Sequence, residues 1–170
     1  MRIDLGLRAQ LKRLVVSCLI LITTSAHATD EVIQTPDYEI AQIQLTPADS
    51  STPIAFSVKL AVTPLQHAYG LMFSPPLPTK SGMLFVFEDT APRTFWMKNT
   101  PIALDMLFFD DNGRLVTLIS NARPNNLTLL HSRLAAKYVL EIGGREASRL
   151  NIKIGSHLHL PIVISGNGLQ

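Results

Sequence analysis

One stretch concentrates polar chemistry among apolar neighbours: Phe95-Trp96-Met97-Lys98-Asn99-Thr100-Pro101-Ile102-Ala103-Leu104-Asp105. It sets an aromatic pair, an ammonium, an amide, a hydroxyl and a carboxylate within one short strand–loop–strand unit. Alternation along an extended chain puts Phe95 and Met97 on one face, Trp96 and Lys98 on the other. In the following strand Asp105 shares a face with Leu107 and Phe109. A carboxylate at the end of an apolar strand loses hydration and needs pairing or hydrogen bonds. Lys98, Asn99 and Thr100 are its nearest partners along the chain. Two readings follow. In the first, the stretch is a polar latch: Asn99 and Thr100 fix the loop backbone and Asp105 accepts N–H bonds or pairs with Lys98. In the second, Trp96, Lys98, Asn99, Thr100 and Asp105 line a ligand pocket. Loop-fixing Asn and Asp are the commoner case.

A single carboxylate does not make a hydrolase. Hydrolysis needs a second carboxylate, an activated nucleophile or a metal. Asp110 and Asp111 are better explained by the turn Asp110-Asp111-Asn112-Gly113. Ser132 follows His131 directly, a spacing that rarely aligns nucleophile and base, and no Gly-x-Ser-x-Gly occurs. An envelope hydrolase or lyase using Asp105 as acid or base is the enzymatic alternative, and no catalytic residue is assigned. His157-Leu158-His159 could present two imidazoles on one strand face, half of a zinc or copper site. Met72, Met83 and Met97, with His67, make a Met/His copper-binding protein a further alternative. Methionine in apolar runs is more often core filler, and lone strand histidines are more often surface groups. No cofactor or metal is expected.

The elements that position these groups begin after a leader. Arg2, Arg8, Lys12 and Arg13 precede the apolar run Leu14 to Ile22, and Ala26-His27-Ala28 follows it. That pattern predicts a signal peptide over residues 1–28 and a mature chain from about Thr29. Cys18, the only cysteine, falls inside the apolar run. It is therefore not placed for acylation and departs with the leader, so no disulfide or thiolate site is expected in the mature chain. Of 15 Lys and Arg, four lie in the leader, and of 13 Asp and Glu only Asp4 does, which leaves 11 against 12. No basic face remains to suggest nucleic acid. No later run is long and apolar enough for a membrane helix. The expected product is exported, periplasmic if the source has two membranes and secreted otherwise.

Residues 29–170 are read as one domain with its core over about 39–164. After a loose arm to Asp37, alternation predicts strands over Glu39–Leu45 and Ile54–Thr63. Thr63-Pro64 starts a helix expected to reach about Met72. Ser74-Pro75-Pro76-Leu77-Pro78 is a surface crossing. Met83–Phe87 is a strand buried on both faces, Glu88–Arg93 a turn, Thr94–Lys98 a strand, Asn99–Ala103 a loop and Leu104–Phe109 a strand. The hairpin turn at 110–113 leads to a strand over Arg114–Ser120. Residues 121–136 read as loop with a short strand, Tyr138–Ile142 as a strand and Glu146–Leu150 as one helical turn. Leu158–Ile164 reads as a last strand, held to an edge or bulge by Pro161. Eight of the eleven aromatic residues fall between Tyr69 and Phe109, which places the core there. Many short strands with little helix predict a mainly β domain, a β-sandwich or open barrel with one or two short helices.

Gly70-Leu71-Met72, Gly82-Met83-Leu84-Phe85-Val86-Phe87, Phe95-Trp96-Met97-Lys98-Asn99-Thr100-x-Ile102-x-Leu104-Asp105, Asp110/Asp111-x-Gly113 and Tyr138-Val139-Leu140-Glu141 stand in this order. Together they resemble the DUF192 (UPF0127) family over roughly residues 54–160. The resemblance implies a compact, mainly β, often exported domain, and it implies no activity. Tyr69 and Ser74 stand where members commonly carry Arg, and Ala103 where they commonly carry Pro. The leading expectation is a non-enzymatic exported module that binds a small ligand or an envelope protein through the loop at 95–100 and Asp105.

Overall fold

The computed structural model describes residues 35–161. The expected leader, the start of the mature chain and the end of the last strand lie outside the described residues. The element order is β1 (Glu39–Thr46), β2 (Ile54–Ala61), α1 (Pro64–Tyr69), β3 (Ser81–Phe95), β4 (Leu104–Phe109), β5 (Leu115–Ala122), β6 (Leu130–Gly143), α2 (Glu146–Arg149) and β7 (His157–His159). All seven strands form one sheet in the order β5-β4-β6-β3-β2-β1-β7. Among the described strands only the β2–β3 pair is parallel, with α1 in the crossover between them.

The sheet curls until its far edges meet, so the fold is the open half-barrel of the two expected architectures. Leu158 N–H donates to Gly113 O at 2.8 Å and Leu115 N–H to Ser156 O at 2.8 Å. Arg114 bridges His157 in antiparallel fashion. Gly113 is required at this seam. Its φ is +80°, and a Cβ there would sit 2.5 Å from Leu158 O. Curling the sheet satisfies much of the edge that would otherwise stay unpaired.

Alternation along the central strands divides the core between the two faces. Leu84, Leu107, Phe109, Leu140 and Ile142 join one cluster. Met83, Phe85, Met106, Phe108 and Val139, their immediate neighbours in sequence, join the other. Every residue of β4 is buried, as a strand covered on both faces must be.

Four expectations change. Of the strand expected over Thr94–Lys98 only Thr94 and Phe95 are strand, and Trp96–Lys98 belong to the loop that follows. Glu88–Arg93 is not a turn: β3 runs unbroken to Phe95, and the register shifts between Val86 and Ala91 and between Pro92 and Thr94 absorb the proline. The helix ends at Tyr69 rather than Met72, because Gly70 takes φ +53° and closes the helix with its N–H on Gln66 O. β6 starts at Leu130, eight residues before Tyr138, so much of the segment expected to be loop pairs with the second half of β3.

Candidate functional site

The sequence places five polar or aromatic groups together, and the structure separates one of them. Asp105 is fully buried in β4. Its Oδ1 accepts from Asn121 N–H at 2.7 Å and Arg145 N–H at 3.0 Å, and its Oδ2 accepts from Ala147 N–H at 2.8 Å. The carboxylate is thus a latch, but not to its own neighbouring loop. It ties β4 to β5 and to the start of α2. Three backbone donors offset its desolvation, and Lys98, Asn99 and Thr100 are not among its partners.

Trp96, Lys98, Asn99 and Thr100 stay together in the loop after β3. Asn99 adopts φ +53°, a conformation asparagine tolerates better than most residues. That bend lets Asn99 O accept from Phe73 N–H at 2.8 Å, fixing the loop to the turn after α1. On the other side Met97 N–H donates to Asn126 O at 2.9 Å, and Asn125 N–H to Thr100 O at 3.0 Å. Thr100 is buried and donates from its hydroxyl to Lys98 O at 3.2 Å. Asn99 and Thr100 therefore shape the loop, as the latch reading expects. Trp96 is 44 % exposed, and the Lys98 ammonium lies 5.1 Å from the centre of its ring.

Beneath this loop lies a group that the sequence reading passed over. Glu141, on β6, pairs in register with Met83 and Met106 and projects from the face that carries Val139. It is 4 % exposed, and burial alone lifts its carboxyl from the ordinary 4.5 to about 8. Among the described residues no side chain or N–H bonds to that carboxyl, yet no fully occluded polar side-chain atom is left without a partner. The carboxyl therefore opens into a cavity, one with about 30 Å³ of room, enough for a water molecule. His67, Tyr69 and Met72 close the cavity from the α1 side, Phe85 from β3, and Trp96, Lys98 and Thr100 from the loop.

Gly82 brings the neighbouring backbone down onto Glu141. A Cβ there would lie 2.1 Å from Glu141 O, so β3 reaches β6 this closely only with glycine. Tyr38, before β1, donates from its hydroxyl to the carbonyl of Gly70, a cavity residue, at 3.2 Å. Burial, with Tyr69 and Glu141 nearby, pushes its hydroxyl up to about 12. His67 bonds Ala61 O at 2.9 Å and packs at a tilt against Phe87, ring centres 4.5 Å apart, and its pKa is lowered by burial. The imidazole is therefore neutral and acts as a wall.

Next to the cavity runs a groove of about 520 Å³, sharing His67, Phe85, Phe95 and Trp96 with it and adding Phe87 and Arg93. Phe95 meets Phe85 edge-on at 5.1 Å and Phe108 at 5.7 Å, which fixes the wall between the two spaces. The Arg93 guanidinium lies 3.9 Å over the Phe87 ring, and its Nε donates to Ala136 O. Arg93 is thereby held flat along the groove.

The metal alternatives find less. His157 and His159 do face one way, with ring centres 4.7 Å apart, and His159 bonds the Thr46 hydroxyl. Among the described residues no three His, Cys, Asp or Glu are grouped to hold a metal ion. Met83 and Met97 lie wholly within the apolar core, while Met72 borders the cavity. Ser132 uses its hydroxyl on Arg93 N–H and Leu134 O, where it braces the β3 bulge.

Among the solved structures that match are two bacterial proteins of the same fold. One, from Sinorhizobium meliloti 1021, is described as a candidate transcription regulator. It is 35 % identical, with a TM-score of 0.71, over 74 % of this chain and 97 % of its own. The other, from Novosphingobium aromaticivorans DSM 12444, is described as a protein of unknown function. It is 32 % identical, with a TM-score of 0.68, over 75 % of this chain and 94 % of its own. No curated protein matches the chain. The family model of DUF192, described as "Uncharacterized ACR", matches residues 43–160, the span that holds both the Asp105 latch and the Glu141 cavity. The chain belongs to the DUF192 family.

Proposed function

We propose that this protein is a ligand-binding module whose site is the cavity over Glu141, roofed by α1 and the loop at Trp96–Thr100. The observation that carries the reading is a buried carboxyl with no partner among the described residues, turned into a small cavity beside an aromatic groove. Burying such a group without a partner costs stability. A ligand that supplies the missing hydrogen bond recovers that cost. Trp96, Lys98 and Thr100 belong to this site. Asn99 holds the loop in place, and Asp105 belongs to the scaffold, because both its oxygens are already engaged. The same engagement argues against Asp105 as an acid or base.

The test is a thermal-shift screen of the purified protein and of Glu141→Leu, which removes the hydrogen-bonding group, against envelope metabolites, sugars, amino acids and metal ions. A ligand that raises the melting temperature of the parent and not of the variant supports the site. Ligands that stabilise both equally would place binding elsewhere. The basic leader and Ala26-His27-Ala28 support export of this module, with a mature N-terminus near Thr29. Intact mass of the protein recovered from the cell envelope checks that start.

A further inference from the structure

Resting on the cavity reading, we propose that the ligand is a small carboxylate with an aromatic or similarly flat apolar body. Its carboxylate would lie between Lys98 and Glu141, and its body in the groove along Phe95 and Trp96. Five observations lead there. The cavity's lining contains one acidic residue, Glu141, and one ammonium, Lys98. Among the described residues no carboxylate lies within ion-pairing distance of Lys98, whose nearest aromatic partner is the Trp96 ring. Of the remaining polar groups of the lining, Thr100 donates to Lys98 O and His67 bonds Ala61 O, while the Tyr69 hydroxyl and the Trp96 indole N–H add only neutral groups. The inner space seats one oxygen-sized group and excludes a phosphate or a sugar ring, while the groove beside it, at about 520 Å³, holds a ring. Phe95 and Trp96 border both spaces, so one molecule can occupy both.

The charges then decide between an anion and a cation. The groups facing Glu141 are His67 and Tyr69 from the α1 side, Lys98 from the loop, and Tyr38 from the segment before β1. His67 is held neutral by burial, and the Tyr38 hydroxyl stays protonated. Burial keeps Glu141 protonated at neutral pH as well, so it offers an O–H donor. A site with one ammonium, neutral donors and no fixed anion attracts acceptor oxygens carrying negative charge. An amine would meet Lys98 and find no counter-charge until Glu141 ionised.

The experiment is isothermal titration of phenylpropanoate, phenylpropanamide and phenylpropylamine, which share one body and differ in head-group charge, at pH 7 and pH 9.5. The proposal expects phenylpropanoate to bind about tenfold more tightly than the other two at pH 7. It expects Lys98→Met to remove about tenfold of that affinity. Binding should weaken about tenfold at pH 9.5 in the parent, where Glu141 is ionised and repels the carboxylate. In Glu141→Gln, whose amide donates at both pH values, it should weaken far less. Tighter binding of the amine, lost in Glu141→Gln, would overturn the carboxylate class and leave the cavity standing. Failure of all three probes would also overturn the class, while the metabolite screen decides the cavity separately. Binding that neither Glu141→Leu nor Lys98→Met disturbs would overturn both.

Discussion

Two buried carboxyl groups, one strand apart, have opposite fates, and their partners explain why. Asp105 takes three backbone N–H donors within 3.0 Å, whereas Glu141 takes none from the described residues. Asp105→Ala should therefore leave three donors unsatisfied and destabilise the fold by about 3 kcal/mol or more, read as a lowered midpoint in urea. Glu141 should behave in the opposite sense. Its folded pKa is about 8 against an ordinary 4.5. The unfolded chain thus ionises first, and Glu141 leaves stability intact below about pH 4.5 and erodes it as pH rises toward 8. Glu141→Gln removes that titration. It should be more stable than the parent at pH 7 by about 3 kcal/mol, with a gap that closes near pH 4.5. Urea melts of both proteins across that range check the sign. Asp105 could be identified from the sequence as a buried, hydrogen-bonded carboxylate. Its partners could not, because they come from residues 121, 145 and 147, and spacing along the chain carries no record of such long-range pairing. Glu141 left a fainter signal, a charged residue in the apolar run Tyr138-Val139-Leu140-Glu141-Ile142 on the face of Val139. Alternation assigns that face but does not tell that α1 and the loop leave space above it.

At the scale of elements, the short helix α1 depends on its ends more than on its length. Thr63 accepts from Gln66 N–H at 3.2 Å, and Gln66 Oε1 answers by accepting from Thr63 N–H at 3.0 Å, a complete capping box before six helical residues. Gln66 also donates to Asp37 O, which holds the segment carrying Tyr38 against the helix. Thr63→Ala should cost about 1 kcal/mol and loosen the cavity roof, seen as faster hydrogen exchange at Gly70. Thr63-Pro64 made this start readable, just as alternation made β1, β2 and β4 readable. The far half of β3 was not, because Asp89, Pro92 and Arg93 look like a turn in isolation. They become strand only because β6 runs alongside and the bulge accepts the proline. Local sequence describes a strand's composition, and pairing over some 40 residues decides whether it forms.

For the whole described domain, barrel closure rests on few contacts. β7 has three residues and bonds β1 on one side and the 113–115 segment on the other. Ser156, wholly buried, accepts from both Ala48 and Lys153 N–H and pins the return to the seam. Gly113→Ala should open this seam, costing at least about 2 kcal/mol from the positive φ and the displaced Leu158 carbonyl. The loss should show as a lower melting temperature with lost protection at Leu158, while the Glu141 cavity, bordered by other strands, keeps its ligand response. That separation of scaffold from site is the central claim. Asp105 and the seam hold the fold, and Glu141, without a partner among the described residues, is the group that the proposed site offers to a ligand. The most direct measurement is the carboxyl carbon shift of Glu141 followed by NMR from pH 4 to pH 10. The account predicts a midpoint of about 8 in the free protein. A midpoint near 4.5 would mean that the carboxyl is hydrated or already paired, and the cavity would lose its reason to bind.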